Sequence, residues 1–157
     1  MSHAHHLRYI FNSKIRKDTI SKTRKALAGI KFDAIAVQGV SGLLAGSILA
    51  HEMNKELCIV RKDDGSHSME TVESPDKEIS TYVIVDDCID SGATVANMIT
   101  KMGDNLPAAT CVGMVMYNRL IDGREQAVFS ADEVKEFMRS GPGSYFNRTK
   151  PLTSIAT

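Results

Sequence analysis

The chain contains no tryptophan, only four prolines, three cysteines and no surplus of charge of either sign. Nineteen Lys+Arg balance nineteen Asp+Glu, so the general basic field of a dedicated nucleic-acid binder is missing and that role is disfavoured. The most apolar short stretch, residues 42–50, is far too short to span a bilayer, and no leader-like segment precedes it, so no membrane partner is expected. Cys58, Cys88 and Cys111 show no close-pair metal spacing and leave an odd one out, which fits a reducing cytoplasm best. Cys58 and Cys111 stand inside apolar runs and read as buried thiols. The opening "MSHAHH" clusters His3, His5 and His6; it reads either as a frayed or added terminus or as an adventitious metal binder.

What is present is enough for a core. A chain of 157 residues, 43% of them hydrophobic, supports a single packed domain over 1–157. Ile20, Thr23, Leu27 and Ile30 recur at helical spacing, predicting an amphipathic helix that begins near Asp18. Lys22, Arg24 and Lys25 fall on its other side and, with Lys14, Arg16 and Lys17, read either as a local basic patch or as a solvated helix face. "DAIAVQG" (33–39) predicts a buried strand running into a turn, and "SGLLAGSILAHEMN" (41–54) a helix with Leu44, Ile48 and Leu49 inward. "ELCIVRK" (56–62), "TYVIVDD" (81–87) and "ATCVGMVMY" (109–117) predict further strands, the second of them apolar at consecutive positions as in a parallel strand covered on both faces. Val95, Met98, Ile99 and Met102 mark a helix between the last two.

Strands alternating with helices imply an α/β fold with a doubly wound, mainly parallel sheet. Residues 63–80 are polar, carry Gly65 and Pro75 and show no periodic apolar face, predicting a lid-like loop. After Asn118 the pattern weakens. Ser130 and Glu133 give a capping-box signature for one short helix, stopped at Gly141. The core is thus expected at about 18–118, with 119–157 as an arm or a hood.

Chemistry concentrates in "VIVDDCIDSGAT" (83–94). In such sheets ligands bind beyond the carboxyl ends of the strands, where Asp86 and Asp87 stand. Asp90, Ser91, Gly92, Ala93 and Thr94 form a small-residue turn at a helix N-terminus, whose dipole and free amides favour a phosphate. Adjacent carboxylates are poor phosphate ligands but good acceptors for a sugar diol, and they can help hold a hydrated divalent cation. The pair plus the turn describes a site for a ribose 5-phosphate. A P-loop lysine, a G-x-G-x-x-G fingerprint and a phosphatase-type spacing of carboxylates are all absent.

The stretch resembles the phosphoribosyl-pyrophosphate (PRPP) motif of the type I phosphoribosyltransferases. "AVQGVSG" (36–42) is similar to that family's pyrophosphate-binding loop, with Gly39 and Gly42 freeing main-chain amides, and "VRKDDGSHS" (60–68) lies where the family keeps its flexible catalytic loop. The resemblance covers about residues 33–118. It implies a small hood built from the chain ends, and transfer of ribose 5-phosphate from PRPP to a nucleobase or related nitrogen heterocycle, releasing pyrophosphate in the presence of Mg²⁺. It further implies that Asp86 and Asp87 hold the ribose hydroxyls, and Mg²⁺ directly or through water, while Asp90, Ser91, Gly92, Ala93 and Thr94 hold the 5′-phosphate. Gln38, Gly39, Val40, Ser41 and Gly42, with Arg61 and Lys62, would face the pyrophosphate, Asp90, Arg61 and Lys62 being the candidate catalytic residues.

Asp90 matches the hypoxanthine–guanine branch, where an aspartate accepts a purine proton and the setting is purine salvage; it reads equally as a helix cap. The Arg61-Lys62 pair matches the orotate and adenine branches instead. His67 stands where it reads either as a contact to the leaving pyrophosphate or as an exposed loop residue. Tyr117, Phe129, Tyr145 and Phe146 are the rings available to stack on an acceptor or to pack the fold. Members of the family are often homodimers, which is the expectation carried here. The competing reading is a non-catalytic PRPP or nucleotide sensor of the same fold.

Overall fold

Apolar residues at consecutive positions divide between two layers. In strand β1 (Ala34–Val37), Ala34 and Ala36 pack into one hydrophobic cluster while Ile35 and Val37 pack into another. Strand β4 (Thr81–Asp86) repeats the division, with Tyr82 and Ile84 on the first side and Val83 and Val85 on the second. A strand covered on both faces has no polar side, which is why these segments read as continuous apolar runs.

The computed structural model describes residues 7–63, 70–89, 91–123 and 127–141. Strands β2 (Glu56–Val60), β3 (Val72–Glu73), β5 (Thr110–Met116) and β6 (Val128–Ser130) complete a six-stranded sheet of order β3-β2-β1-β4-β5-β6. The central strands β2, β1, β4 and β5 are parallel, and the edges β3 and β6 are antiparallel to their neighbours. Helices α2 (Ser13–Leu27) and α3 (Gly39–Met53) cover one face through Ile20, Leu27, Ala45 and Leu49. Helices α4 (Ala93–Asn105) and α6 (Ala131–Ser140) cover the other through Val95, Met98, Met102, Val134 and Phe137. The short helices α1 (Arg8–Phe11) and α5 (Tyr117–Asp122) meet where the Tyr9 hydroxyl donates to the Asp122 carboxylate.

The sheet grows from β1 to β2 on one side, then resumes with β4 on the other side of β1. This reversal opens a crevice beyond the carboxyl ends of β1 and β4, where open α/β sheets take their ligands. The α/β, doubly wound, mainly parallel architecture is as expected.

Three boundaries differ from expectation. Helix α2 begins at Ser13 rather than near Asp18, because the Asn12 side chain caps it, accepting from the amides of Lys14 and Ile15 at 3.0 and 3.1 Å. Residues 63–80 are not one loop. Val72 is buried and pairs with Val60 across β3, Ile79 is buried in the core, and the Arg61 amide donates to the Thr71 carbonyl at 2.9 Å. Two anchors seven positions apart leave no periodic trace in sequence, and only residues 64–69, with His67, lie outside the described residues.

The core also runs past 118. Val128, Phe129, Val134 and Phe137 are all buried, and α6 carries the expected capping box between Ser130 and Glu133. Residues 127–141 are therefore part of the sheet and its cover rather than an arm. Tyr145 and Phe146 lie outside the described residues.

Cys58 and Cys111 are buried, and burial pushes their thiols up to about 11 and about 12. No helix among the described residues is long and apolar enough to cross a membrane. The basic face of α2 is partly neutralised by ion pairs of Lys22 with Asp18 at 3.1 Å and of Arg24 with Glu52 at 3.9 Å.

Candidate functional site

Strand β4 ends on Asp86, with Asp87 next in the chain, and burial of both residues is the chief electrostatic fact of the site: they are 7% and 8% exposed. Asp86 Oδ1 accepts from Ser41 Oγ at 3.1 Å and from the Asp87 amide at 2.9 Å. Burial above all, and then the neighbouring Asp87 side chain, holds the Asp86 carboxyl well above the usual carboxylate range, while the Asp87 amide and the Ser41 hydroxyl oppose this. A carboxyl held up by burial in this way favours a ligand that brings positive charge or hydroxyl donors to the strand end.

A cleft of about 640 Å³ opens over this pair. On one flank it is lined by Ser91, Gly92, Ala93 and Thr94, the entry and first turn of α4. Gly92 adopts φ 86 there, a left-handed turn that brings main chain rather than side chain to the ligand space. Ser91 Oγ accepts from the Ala93 amide at 3.2 Å, and the remaining amides of the first turn have no intrahelical acceptor, as in any helix. On the other flank stand Gln38, Val40, Ser41 and Lys62, from the ends of β1 and β2 and the start of α3. Leu7, from the N-terminal side of α1, and Ile89 supply apolar walls.

The two glycines of "AVQGVSG" do different work from each other. Gly39 adopts φ 72, and a Cβ there would meet Lys62 Cε at 3.1 Å and Nζ at 3.2 Å; the bare glycine lets the Lys62 ammonium lie over the helix start. Gly42 was expected to free an amide for an anion. It lies inside α3 instead, where a Cβ would meet the Val85 carbonyl oxygen at 3.0 Å, so its role is to let α3 approach the end of β4.

Arg61 is not brought to the cleft. Its guanidinium turns to Glu73 of the edge strand, with nitrogen and carboxylate oxygen 3.5 Å apart. Arg61 and Lys62 follow the end of β2, and of the two it is Lys62 that lines the cleft. Asp90 lies outside the described residues. Cys88 is exposed and lines the cleft, while Ile89 is buried.

Phe129 is buried in the core and Tyr117 is fully buried, so neither ring is available for stacking. Tyr117 holds the site together instead, its hydroxyl donating to the Ser41 carbonyl at 2.9 Å. The next residues continue the buttress. The Asn118 amide donates to the Asp87 carbonyl at 3.0 Å, and the Arg119 guanidinium donates to the Ile89 carbonyl. Sequence gives little sign of this, because all three bonds run to main-chain carbonyls from a segment with no periodicity.

No protein-family model and no curated protein matches the sequence. Solved structures do match its fold. The UMP synthase of Leishmania donovani aligns with a TM-score of 0.59 at 23% identity, over 75% of this chain and 26% of that one. The adenine phosphoribosyltransferase of Thermoanaerobacter pseudethanolicus aligns at 0.51 and 25% identity, over 71% and 77% of the two chains. The orotate phosphoribosyltransferase of Aeropyrum pernix aligns at 0.52 and 20% identity, over 66% and 60%. The chain thus spans about a quarter of the first of these and three-fifths of the third.

Proposed function

We propose, on the premise that the chain has the type I phosphoribosyltransferase fold, that it transfers ribose 5-phosphate from PRPP to a ring nitrogen of a nucleobase or similar heterocycle. The observation that carries this reading is the arrangement of the cleft, with a buried acid pair between a helix N-terminal turn and a lysine. The turn at Ser91, Gly92, Ala93 and Thr94 suits the 5′-phosphate. Asp86 and Asp87 accept hydroxyl donors from the ribose, and Gln38, Gly39, Val40, Ser41 and Lys62 face the pyrophosphate.

In the reaction the acceptor nitrogen bonds to C1′ and the bond from C1′ to the pyrophosphate oxygen breaks, its electron pair leaving with pyrophosphate. The acceptor then gives up a proton, and Asp90 is the side chain we assign to receive it. Positive charge grows at C1′ beside the acid pair while negative charge grows near Lys62, so both are met by charge already in place.

Among the described residues no cluster of three or more His, Cys, Asp or Glu could hold a metal by itself. Two carboxylates fit a Mg²⁺ ion that completes its shell with ligand oxygens and waters, and Asp86 and Asp87 would hold it. When bound, such an ion would neutralise the leaving pyrophosphate.

The test is to incubate the protein with PRPP, Mg²⁺ and a panel of purine and pyrimidine bases and to follow pyrophosphate release. Turnover with one base supports the reading and identifies the acceptor. Tight PRPP binding with no release on any base would replace it with a PRPP sensor. A second expectation concerns Gly39. Gly39→Ala places a Cβ at a left-handed position, which costs about 1–2 kcal/mol, and displaces the Lys62 side chain. It should lower stability in a denaturant titration by that amount and weaken pyrophosphate binding more than ribose 5-phosphate binding; equal loss on both ligands would count against Lys62 lying at the pyrophosphate end.

A further inference from the structure

Lys101 lies on the buried side of α4, only 8% exposed, three residues after Met98 on the apolar stripe. An ammonium group placed there must be desolvated, and a methionine would fill the same stripe without that penalty. Its two partners show what it holds. Nζ donates to the Arg61 carbonyl at 2.7 Å and to Asp63 Oδ1 at 2.9 Å. The Arg61 carbonyl also accepts from Gln38 Nε2 at 3.4 Å. One carbonyl therefore joins the end of β2, the turn after β1, and the helix whose first turn lines the cleft.

Lys62 stands between the two groups that Lys101 grips. Its side chain is the cation lining the cleft among the described residues, and it reaches Gly39 because the backbone on either side is fixed. The Arg61 side chain meanwhile is drawn away to Glu73. Without the clamp, residues 61–63 would lose both Lys101 bonds, while the Arg61 amide bond to Thr71 and the Gln38 bond to the Arg61 carbonyl anchor only the Arg61 end.

We propose that Lys101 is a positioning residue for the pyrophosphate end of the site, clamping the main chain around Lys62 from the neighbouring helix. Lys101 touches no ligand; it sets the direction from which Lys62 meets one. This rests on the reading of the cleft as a PRPP site. Loss of Lys101 then separates the two ends of the ligand. The pyrophosphate end, served by Lys62, Gly39 and Ser41, loses affinity, while the 5′-phosphate end at Ser91, Gly92, Ala93 and Thr94 keeps it.

The experiment compares wild type, Lys101→Met, Lys101→Arg and Asp63→Asn. Each is titrated by calorimetry with PRPP, inorganic pyrophosphate and ribose 5-phosphate in Mg²⁺, and hydrogen exchange of the amides at 61–63 is followed without ligand. Lys101→Met should weaken PRPP and pyrophosphate roughly tenfold or more, leave ribose 5-phosphate within about twofold, and speed exchange at 61–63; Lys101→Arg should restore most of the loss. Asp63 is exposed, so Asp63→Asn keeps the fold and should reproduce a smaller loss of the same kind, which decides the matter even if Lys101→Met does not fold. Equal weakening of both ligands, or exchange at 61–63 unchanged in the variants, overturns the clamp. If wild type binds none of the three ligands, the PRPP reading fails instead, and the exchange arm still decides whether Lys101 fixes the segment.

Discussion

Asp86→Asn should make the free protein more stable above neutral pH and strongly weaken its Mg²⁺-dependent binding of PRPP. The two effects have one cause. Burial holds the Asp86 proton more tightly in the folded chain than in the unfolded one, where the group titrates near 3.8, and raises it to about 7. The folded state therefore binds more protons than the unfolded state between those limits, and stability falls as pH rises through that window. The group's contribution is fully present below about pH 4 and is lost by the time the folded carboxyl has ionised. Asparagine keeps an oxygen to accept from Ser41 Oγ and the Asp87 amide, both of which now bond to Asp86 Oδ1, but it never ionises. Melting curves recorded from pH 5 to pH 8 in the absence of divalent ions should show the gap between variant and wild type widening with pH, in the variant's favour. Parallel curves would mean that Asp86 does not carry that burden. On the ligand side, a neutral amide removes charge that a shared cation and the ribose hydroxyls require, and PRPP affinity in Mg²⁺ should drop roughly a hundredfold, about 2.7 kcal/mol.

Phe137→Ala should remove a large part of the fold's stability, although the residue is far from the acid pair in sequence. Phe137 is fully buried on α6, in the cluster that contains Met114, Phe129 and Val134. Truncating a buried phenylalanine to alanine costs about 3–5 kcal/mol, a large fraction of the marginal stability of a domain this size. Urea unfolding should show a midpoint shift of that magnitude with the slope unchanged. A change of only a few tenths of a kcal/mol would mean that 127–141 is the dispensable arm its weak pattern resembles, and that the sheet ends at β5.

Those expectations mark where sequence reading holds and where it fails. Strands β1, β2, β4 and β5 and helix α4 are legible because parallel strands buried on both faces leave unbroken apolar runs, and because Val95, Met98 and Met102 keep strict helical spacing. Strands β3 and β6 are two and three residues long, too short for any period to register. The acid pair and the small-residue turn were likewise legible, since carboxylates at a strand end followed by Ser91, Gly92, Ala93 and Thr94 form a local pattern. Arg61 misleads because its pairing with Glu73 is set by an edge strand that sequence does not reveal. Gly42 misleads because a glycine freeing an amide and a glycine admitting a neighbouring carbonyl look the same in one dimension. Lys101 and Tyr117 escape for a shared reason: both act on main-chain carbonyls, Arg61 and Ser41, that carry no residue-specific signal.

The most direct measurement is a calorimetric titration of wild-type protein with PRPP, with and without Mg²⁺, repeated on Asp86→Asn. A PRPP site at the end of β4 predicts saturable binding in wild type that strengthens with Mg²⁺ and is weakened roughly a hundredfold in the variant. Absence of binding by wild type at millimolar PRPP with Mg²⁺, or equal binding by the two proteins, would contradict it.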